Sequence, residues 1–256
     1  MSPLILVMID GVAADYLQRH RPNLPNLSAL AEEGLLVERL ASDVPATSLP
    51  GRTSILTGAP ASEHGIYGNT IWDGELFRYA NPDDVRTPTL PRRAMDAGLD
   101  VAAIGFGMVR PEDATVFRGA WWVNEMLQRA HDEEPIRADE GWLRTSRYQD
   151  ASGRLAALAE TGLAGEVPDA YAADRLHYLL SEPTGDRSML RWSAGLATSD
   201  TPPDLLITEI LAPDTVQHMP DRSTRSVTGR SVTPTHWSAL WSTSCAAPAG
   251  STRRRC

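Results

Sequence analysis

Residues 1–11 read MSPLILVMIDG, and the apolar run from Leu4 to Ile9 within them decides the fold. A near-continuous apolar run closed by an acid and a glycine is the pattern of a central strand buried on both faces of a parallel sheet. In open α/β sheets ligands bind beyond the carboxyl ends of the strands, which makes Asp10 the first candidate functional residue. The stretch has no basic leader region and its apolar run is short, so it is read as a strand and not as a signal peptide. A cytoplasmic location is the resulting expectation.

Working outward, PNLPNLSALAEEGLLVERL (22–40) predicts a helix with Asn26 or Ser28 as N-cap and Gly34 as C-cap, leading into a second strand near Leu36. RTSILTG (52–58) predicts a short helix starting just after Ser48 and Pro50 and closed by Gly58. LPRRAMDAGLDVAAIGFGM (90–108) repeats the order helix, glycine, strand, and PDLLITEILAPD (203–214) returns to the buried-strand pattern and ends at Asp214. The predicted fold class is α/β, a mostly parallel central sheet flanked by helices. Residues 1–109 are expected to form the N-terminal part of the core and 110–201 an insertion or cap. A returning strand and loop then occupy 202–219, and 220–256 is an aberrant or disordered tail. Within the cap, DAYAADRLHYLLSE (169–182) has the spacing of an amphipathic helix.

Composition narrows the function classes. The chain has 256 residues, 42% of them hydrophobic, enough for one large domain or a domain with an insertion. All 33 acidic residues but only 18 of the 24 basic ones lie before Arg222, and the six later basic residues are all arginines. So acidic a body argues against a nucleic-acid-binding surface, which needs clustered basic side chains to neutralise phosphates. No stretch is long enough to span a bilayer. Cys245 and Cys256 are the only cysteines and exclude a disulfide framework or a cysteine zinc site.

The candidate chemistry lies at three places. Asp10 and Asp214 end two buried strands, and His218 follows Asp214 by four residues, a separation from which one turn can chelate a borderline cation such as Zn²⁺. Ser48 stands at a helix start in PATSLPGRTSILTG (45–58) and would supply an attacking oxygen. No Ser-His-Asp pattern is evident to activate it, which leaves metal activation, suited to in-line displacement at phosphorus or sulfur. Each residue also has a plain reading. Ser48 would serve equally as an N-cap, Asp10 as a turn residue, and Asp214 and His218 as a turn and a surface histidine. His20, His64, His131, His177 and His236 have no ligand spacing and are read as structural or solvated.

Taken together, strand-Asp10-Gly11, PNLPNLSALAEEG (22–34), PATSLPGRTSILTGAPASEHGIYGN (45–69) and PDTVQH (213–218) resemble the type I phosphodiesterase and nucleotide pyrophosphatase branch of the alkaline phosphatase superfamily. The resemblance implies an alkaline-phosphatase-like fold and hydrolysis of small phosphoric esters with two divalent metal ions, zinc foremost. It makes Ser48 the nucleophile and a bridge to metal. Asp10 would ligate one ion, Asp214 and His218 the other, and Gly51 and Arg52 would lie against substrate. Many members carry asparagine where Gly51 stands. The pattern Ser48-Leu49-Pro50-Gly51-Arg52 also resembles the sulfatase signature, so a sulfoester hydrolase is the alternative, and a non-catalytic remnant or binding module is another.

The resemblance further implies a later Ser-Asp-His-Gly-type motif, which this sequence does not contain. Its tail, from Arg222 on, lacks acids and a hydrophobic period. Read one base earlier with GC-rich codons, residues 236–251 yield Val-Val-Asp-Glu-Leu-Arg within an amphipathic pattern. The expectation is therefore a frameshifted tail, a missing C-terminal part, and weak or absent activity.

Overall fold

The computed structural model describes residues 2–123, 148–160 and 175–217. The tail 220–256, His218 and residues 169–174 of the expected amphipathic helix lie outside them. Strand β1 is Leu4–Ile9 and β7, its neighbour in the sheet, is Leu205–Ile210. The Leu4 N–H donates to the Asp204 carbonyl and the Asp10 N–H to the Ile210 carbonyl, both at 2.9 Å, so the two strands run in the same direction. Beyond β7 come β4 (Val101–Ile104), β5 (Val116–Arg118) and β6 (Tyr148–Asp150), in the order β1-β7-β4-β5-β6. Ala103 lies opposite Ile207 and Phe117 in parallel registers, and Phe117 opposite Gln149 in an antiparallel one. The mostly parallel sheet is as expected. A small hairpin of β2 (Thr70–Trp72) and β3 (Phe77–Tyr79) stands apart from it.

The chain divides into two compact units. The larger, Met1–Met8 with Ala41–Glu209, holds the sheet and helices α3 (Ser48–Thr57), α4 (Ala61–His64), α5 (Leu90–Asp96), α6 (Arg154–Glu160) and α7 (Arg175–Ala197). Its core runs through Val101–Ile104, Phe106, Phe117, Leu206 and Ile207, all buried, each large side chain contributing roughly 1.5–3 kcal/mol by leaving water. The order helix, glycine, strand predicted for 90–108 appears as α5, Gly98 and β4, with Gly98 at φ 76°. Helix α7 packs on β4, and the contact needs a glycine at 105: a Cβ there would lie 2.7 Å from Met189 Cγ, on a backbone at φ 70°. Residues 110–201, expected as a cap, instead contribute β5 and β6 to the central sheet. Only three residues long each, these strands carry too little pattern to be read from sequence.

In the second unit, the described residues 9–40 and 210–217 form α1 (Ala14–His20), α2 (Pro25–Glu33) and α8 (Ala212–Gln217). Helix α2 ends at Gly34 as predicted, but it begins earlier than expected, with Pro25 in its first turn and Leu24 as N-cap. No strand forms near Leu36; Leu35 is 88% exposed, and an apolar run without a ladder partner among the described residues has nothing to hold it extended. Strand β1 also departs from expectation. It is an outer strand of the described sheet, with Leu4 56% and Ile5 40% exposed, because it has a neighbour on one side only.

Candidate functional site

Ser48 is the first residue of α3, and Thr47, in extended conformation, is the N-cap. The plain reading of Ser48 as the cap therefore does not hold, and its hydroxyl has no hydrogen-bond partner among the described residues. The helix start is held from a distance: the Leu49 N–H donates to Asn69 Oδ1 at 2.9 Å, and the Gly51 N–H closes the first turn on the Thr47 carbonyl. Pro50 has no N–H to satisfy. Gly58 ends the helix at φ 66°, as the sequence predicts. The result is a half-buried hydroxyl at the positive end of a ten-residue helix, a setting that favours negative charge. Gly51 adds open space beside it, since nothing lies within 4 Å of where its Cβ would be.

Arg52, expected against substrate, lies instead in the interior at 4% exposure. Its Nε donates to Glu209 Oε2 at 3.0 Å and one terminal nitrogen to the Ser48 carbonyl at 3.1 Å. Glu209, near the end of β7 and 2% exposed, also accepts from the Gly107 N–H and from the Trp122 indole N–H. The Arg52 guanidinium stacks over the Trp122 ring at 5.2 Å. Sequence reasoning missed Glu209, Trp122, Gly107 and Asn69. The available signal for Glu209 was an acid inside an otherwise buried strand, LLITEI.

His64, read from sequence as structural or solvated, is fully buried. Its Nδ1 accepts from the Ile66 N–H, which leaves the proton on Nε2 to be donated to Ser54 Oγ at 3.0 Å. The Ser54 hydroxyl donates in turn to Asp43 Oδ2 at 3.1 Å, which also accepts from the Ala61 N–H. Burial pushes the His64 pKa down, against the opposing pull of Asp43. Hydrogen bonds, the Val44 N–H first, hold the Asp43 carboxyl below its ordinary value. Because Ser54 lies between the acid and the histidine, the trio is not a nucleophile-base-acid array and serves to tie down the residues leading into α3.

In the second unit, Asp10 follows β1 and its Oδ1 accepts from the Gly11 N–H at 2.9 Å. Gly11, at φ 76°, packs against α8 so closely that a Cβ would lie 2.7 Å from the Asp214 backbone. The two acids predicted at strand ends are thus brought to one place, Asp214 sitting in the first turn of α8 and not on the strand itself. Two carboxylates are hard oxygen donors that fit part of a divalent cation site. Among the described residues no group of three His, Cys, Asp or Glu side chains stands together, and His218, the third expected ligand, lies outside them. Also among the described residues, no helix is long and apolar enough to cross a membrane.

Comparison with known proteins agrees with this architecture. Bis(5'-adenosyl)-triphosphatase enpp4 of Mus musculus is 33% identical over 85 residues, 33% of this chain and 18% of that protein. The Bos taurus protein is 39% identical over the same shares. Among solved structures, phosphonoacetate hydrolase from Sinorhizobium meliloti 1021 superposes with a TM-score of 0.56 at 21% identity, covering 93% of this chain and 51% of that one. Murine ectonucleotide pyrophosphatase / phosphodiesterase 5 superposes with a TM-score of 0.57 at 14% identity, covering 94% and 51%. The chain therefore spans about half the length of these solved proteins and under a fifth of the curated relatives it matches. The family model described as type I phosphodiesterase / nucleotide pyrophosphatase matches residues 4–227, from the first residue of β1 past α8. With that match, the chain belongs to the type I phosphodiesterase / nucleotide pyrophosphatase family.

Proposed function

We propose that the protein hydrolyses small phosphoric esters of the phosphodiester or pyrophosphate class through a covalent intermediate on Ser48. The observation that carries this reading is the Ser48 hydroxyl itself, unpartnered among the described residues at the N-terminus of a half-buried helix, in a chain of this family. The names of the relatives, a bis(5'-adenosyl)-triphosphatase among them, agree with substrates of that class. Asp10, Asp214 and His218 are the residues that would hold divalent metal ions, zinc foremost. Bound there, the metal would supply Lewis-acid polarisation of a phosphoryl oxygen and lower the pKa of a hydroxyl.

The chain's own part follows from α3. Ser48 Oγ would bond to phosphorus as the bond from phosphorus to the leaving oxygen breaks, and the departing oxygen would take a proton. Water would then cleave the phosphoseryl bond and restore the hydroxyl. Charge gathers on the phosphoryl oxygens through both steps, and the positive end of α3 lies where it opposes that charge. The space left by Gly51 suits a substituted phosphoryl group.

The test is hydrolysis of bis-p-nitrophenyl phosphate by purified protein, with bound metal measured by elemental analysis. Ser48→Ala is expected to lower turnover by about a thousandfold or more, with about two metal ions retained per chain. Turnover undiminished in the variant would overturn the nucleophile. A wild-type protein with neither turnover nor metal would overturn the enzymatic reading in favour of a non-catalytic remnant.

A further inference from the structure

We propose that Arg52 is a positioning residue that locks Ser48 to the central sheet through Glu209, and not a substrate ligand; the catalytic half of this inference rests on Ser48 being the nucleophile. Arg52 follows Ser48 by four residues, one helical turn, so its side chain can reach back along α3 to the Ser48 carbonyl, which it does at 3.1 Å. Its Nε meanwhile meets Glu209 Oε2 at 3.0 Å, on β7. One planar cation thus joins the turn that carries the hydroxyl to a strand whose residues are all buried.

The clamp is specified from every side. Both Glu209 oxygens are engaged, Oε2 by Arg52 and the Gly107 N–H, Oε1 by the Trp122 indole. The Trp122 ring covers the guanidinium face. Gly107 has no room for a side chain: a Cβ would stand 2.5 Å from Trp122 Cζ2 and 3.3 Å from Arg52 Cδ. An ion pair buried this deeply is poor value for stability alone, since its desolvation cost rivals its attraction. What it supplies is orientation, because a fork of fixed geometry leaves the first turn of α3 little freedom to rotate. Lysine, whose three donors sit on one nitrogen, cannot span Glu209 and the Ser48 carbonyl in the fixed fork of a guanidinium. Nor is a guanidinium at 4% exposure, turned toward Glu209, placed to meet a phosphoryl group.

The experiment compares the full chain with Arg52→Met, Arg52→Lys and Glu209→Gln, reading amide hydrogen exchange and hydrolysis of bis-p-nitrophenyl phosphate side by side. Arg52→Met is expected to speed exchange of the first-turn amides of α3 about tenfold while the amides of β4 hold their protection. It is expected to lower kcat about a hundredfold with KM within about threefold, as for a nucleophile misplaced by about an ångström. Arg52→Lys and Glu209→Gln, close in size to the native residues, are expected to fall between, and they carry the test if Arg52→Met does not fold. Unchanged exchange in α3 would overturn the proposal. So would acceleration spread equally through β4, which marks a merely structural role, or a rise in KM at constant kcat, which marks a substrate contact. If Ser48→Ala keeps full turnover, the nucleophile is wrong, and the exchange data still decide whether Arg52 anchors the turn.

Discussion

The two faces of α3 are held by different physics. Residues 52 and 54 project about 200° apart on a helix, so Arg52 and Ser54 anchor nearly opposite sides. On one side a buried cation meets a buried carboxylate, each at most 4% exposed. On the other, a neutral histidine and a serine hydroxyl connect to Asp43, a partly exposed acid. The first anchor is rigid, yet it fails badly if one partner is lost. The second loses less on truncation but contains a group, His64, that can take up a proton.

The largest effect expected from that contrast is at Glu209. Glu209→Ala leaves the Arg52 charge buried without its carboxylate and is expected to cost about 3–5 kcal/mol in urea unfolding. Replacing both partners, Arg52→Met with Glu209→Leu, removes the stranded charge and is expected to recover much of that loss. A double variant no more stable than Glu209→Ala would show that packing around Trp122, and not the charge, holds this face.

Ser54→Ala should cost less, about 1–2 kcal/mol, because it strands a neutral imidazole N–H and a carboxylate that keeps its Val44 and Ala61 hydrogen bonds. Equal losses in Ser54→Ala and Glu209→Ala would erase the distinction between the two faces.

Neither anchor was legible in the sequence, although the helix between them was. The boundary at Gly58 could be read because a left-handed C-cap has a strong local signal, and β4 and β7 because buried parallel strands are apolar throughout. The same pattern misled at β1, where Leu4–Ile9 resembles a central strand and stands at the edge of the described sheet; apolarity reports a capacity for burial, not the number of neighbours. The meeting of Asp10 and Asp214 followed from Asp10 closing β1 and Asp214 lying just past the end of its parallel neighbour β7, a rule of topology. Glu209, Trp122 and Asn69 lie 157, 70 and 21 residues from Arg52 or Ser48, and no local spacing encodes contacts between such distant residues. Arg52 was seen and read toward substrate, but its burial against Glu209 was not legible, since an arginine one turn after a serine looks alike from sequence whether it faces substrate or core.

The pH response tests the histidine face of α3. Burial holds the folded His64 pKa below its ordinary value of 6.5, so the unfolded chain binds a proton more readily than the native one does. The associated stability is complete above about pH 6.5 and is lost as pH falls through that value toward the folded pKa. Protonation of Nδ1 would also end its acceptance of the Ile66 N–H and so loosen the turn behind α4. Unfolding free energy measured from pH 8 to pH 5 is therefore expected to fall more steeply in the wild-type chain than in His64→Gln. Parallel curves for the wild type and His64→Gln would mean that the buried imidazole accepts its proton at no cost.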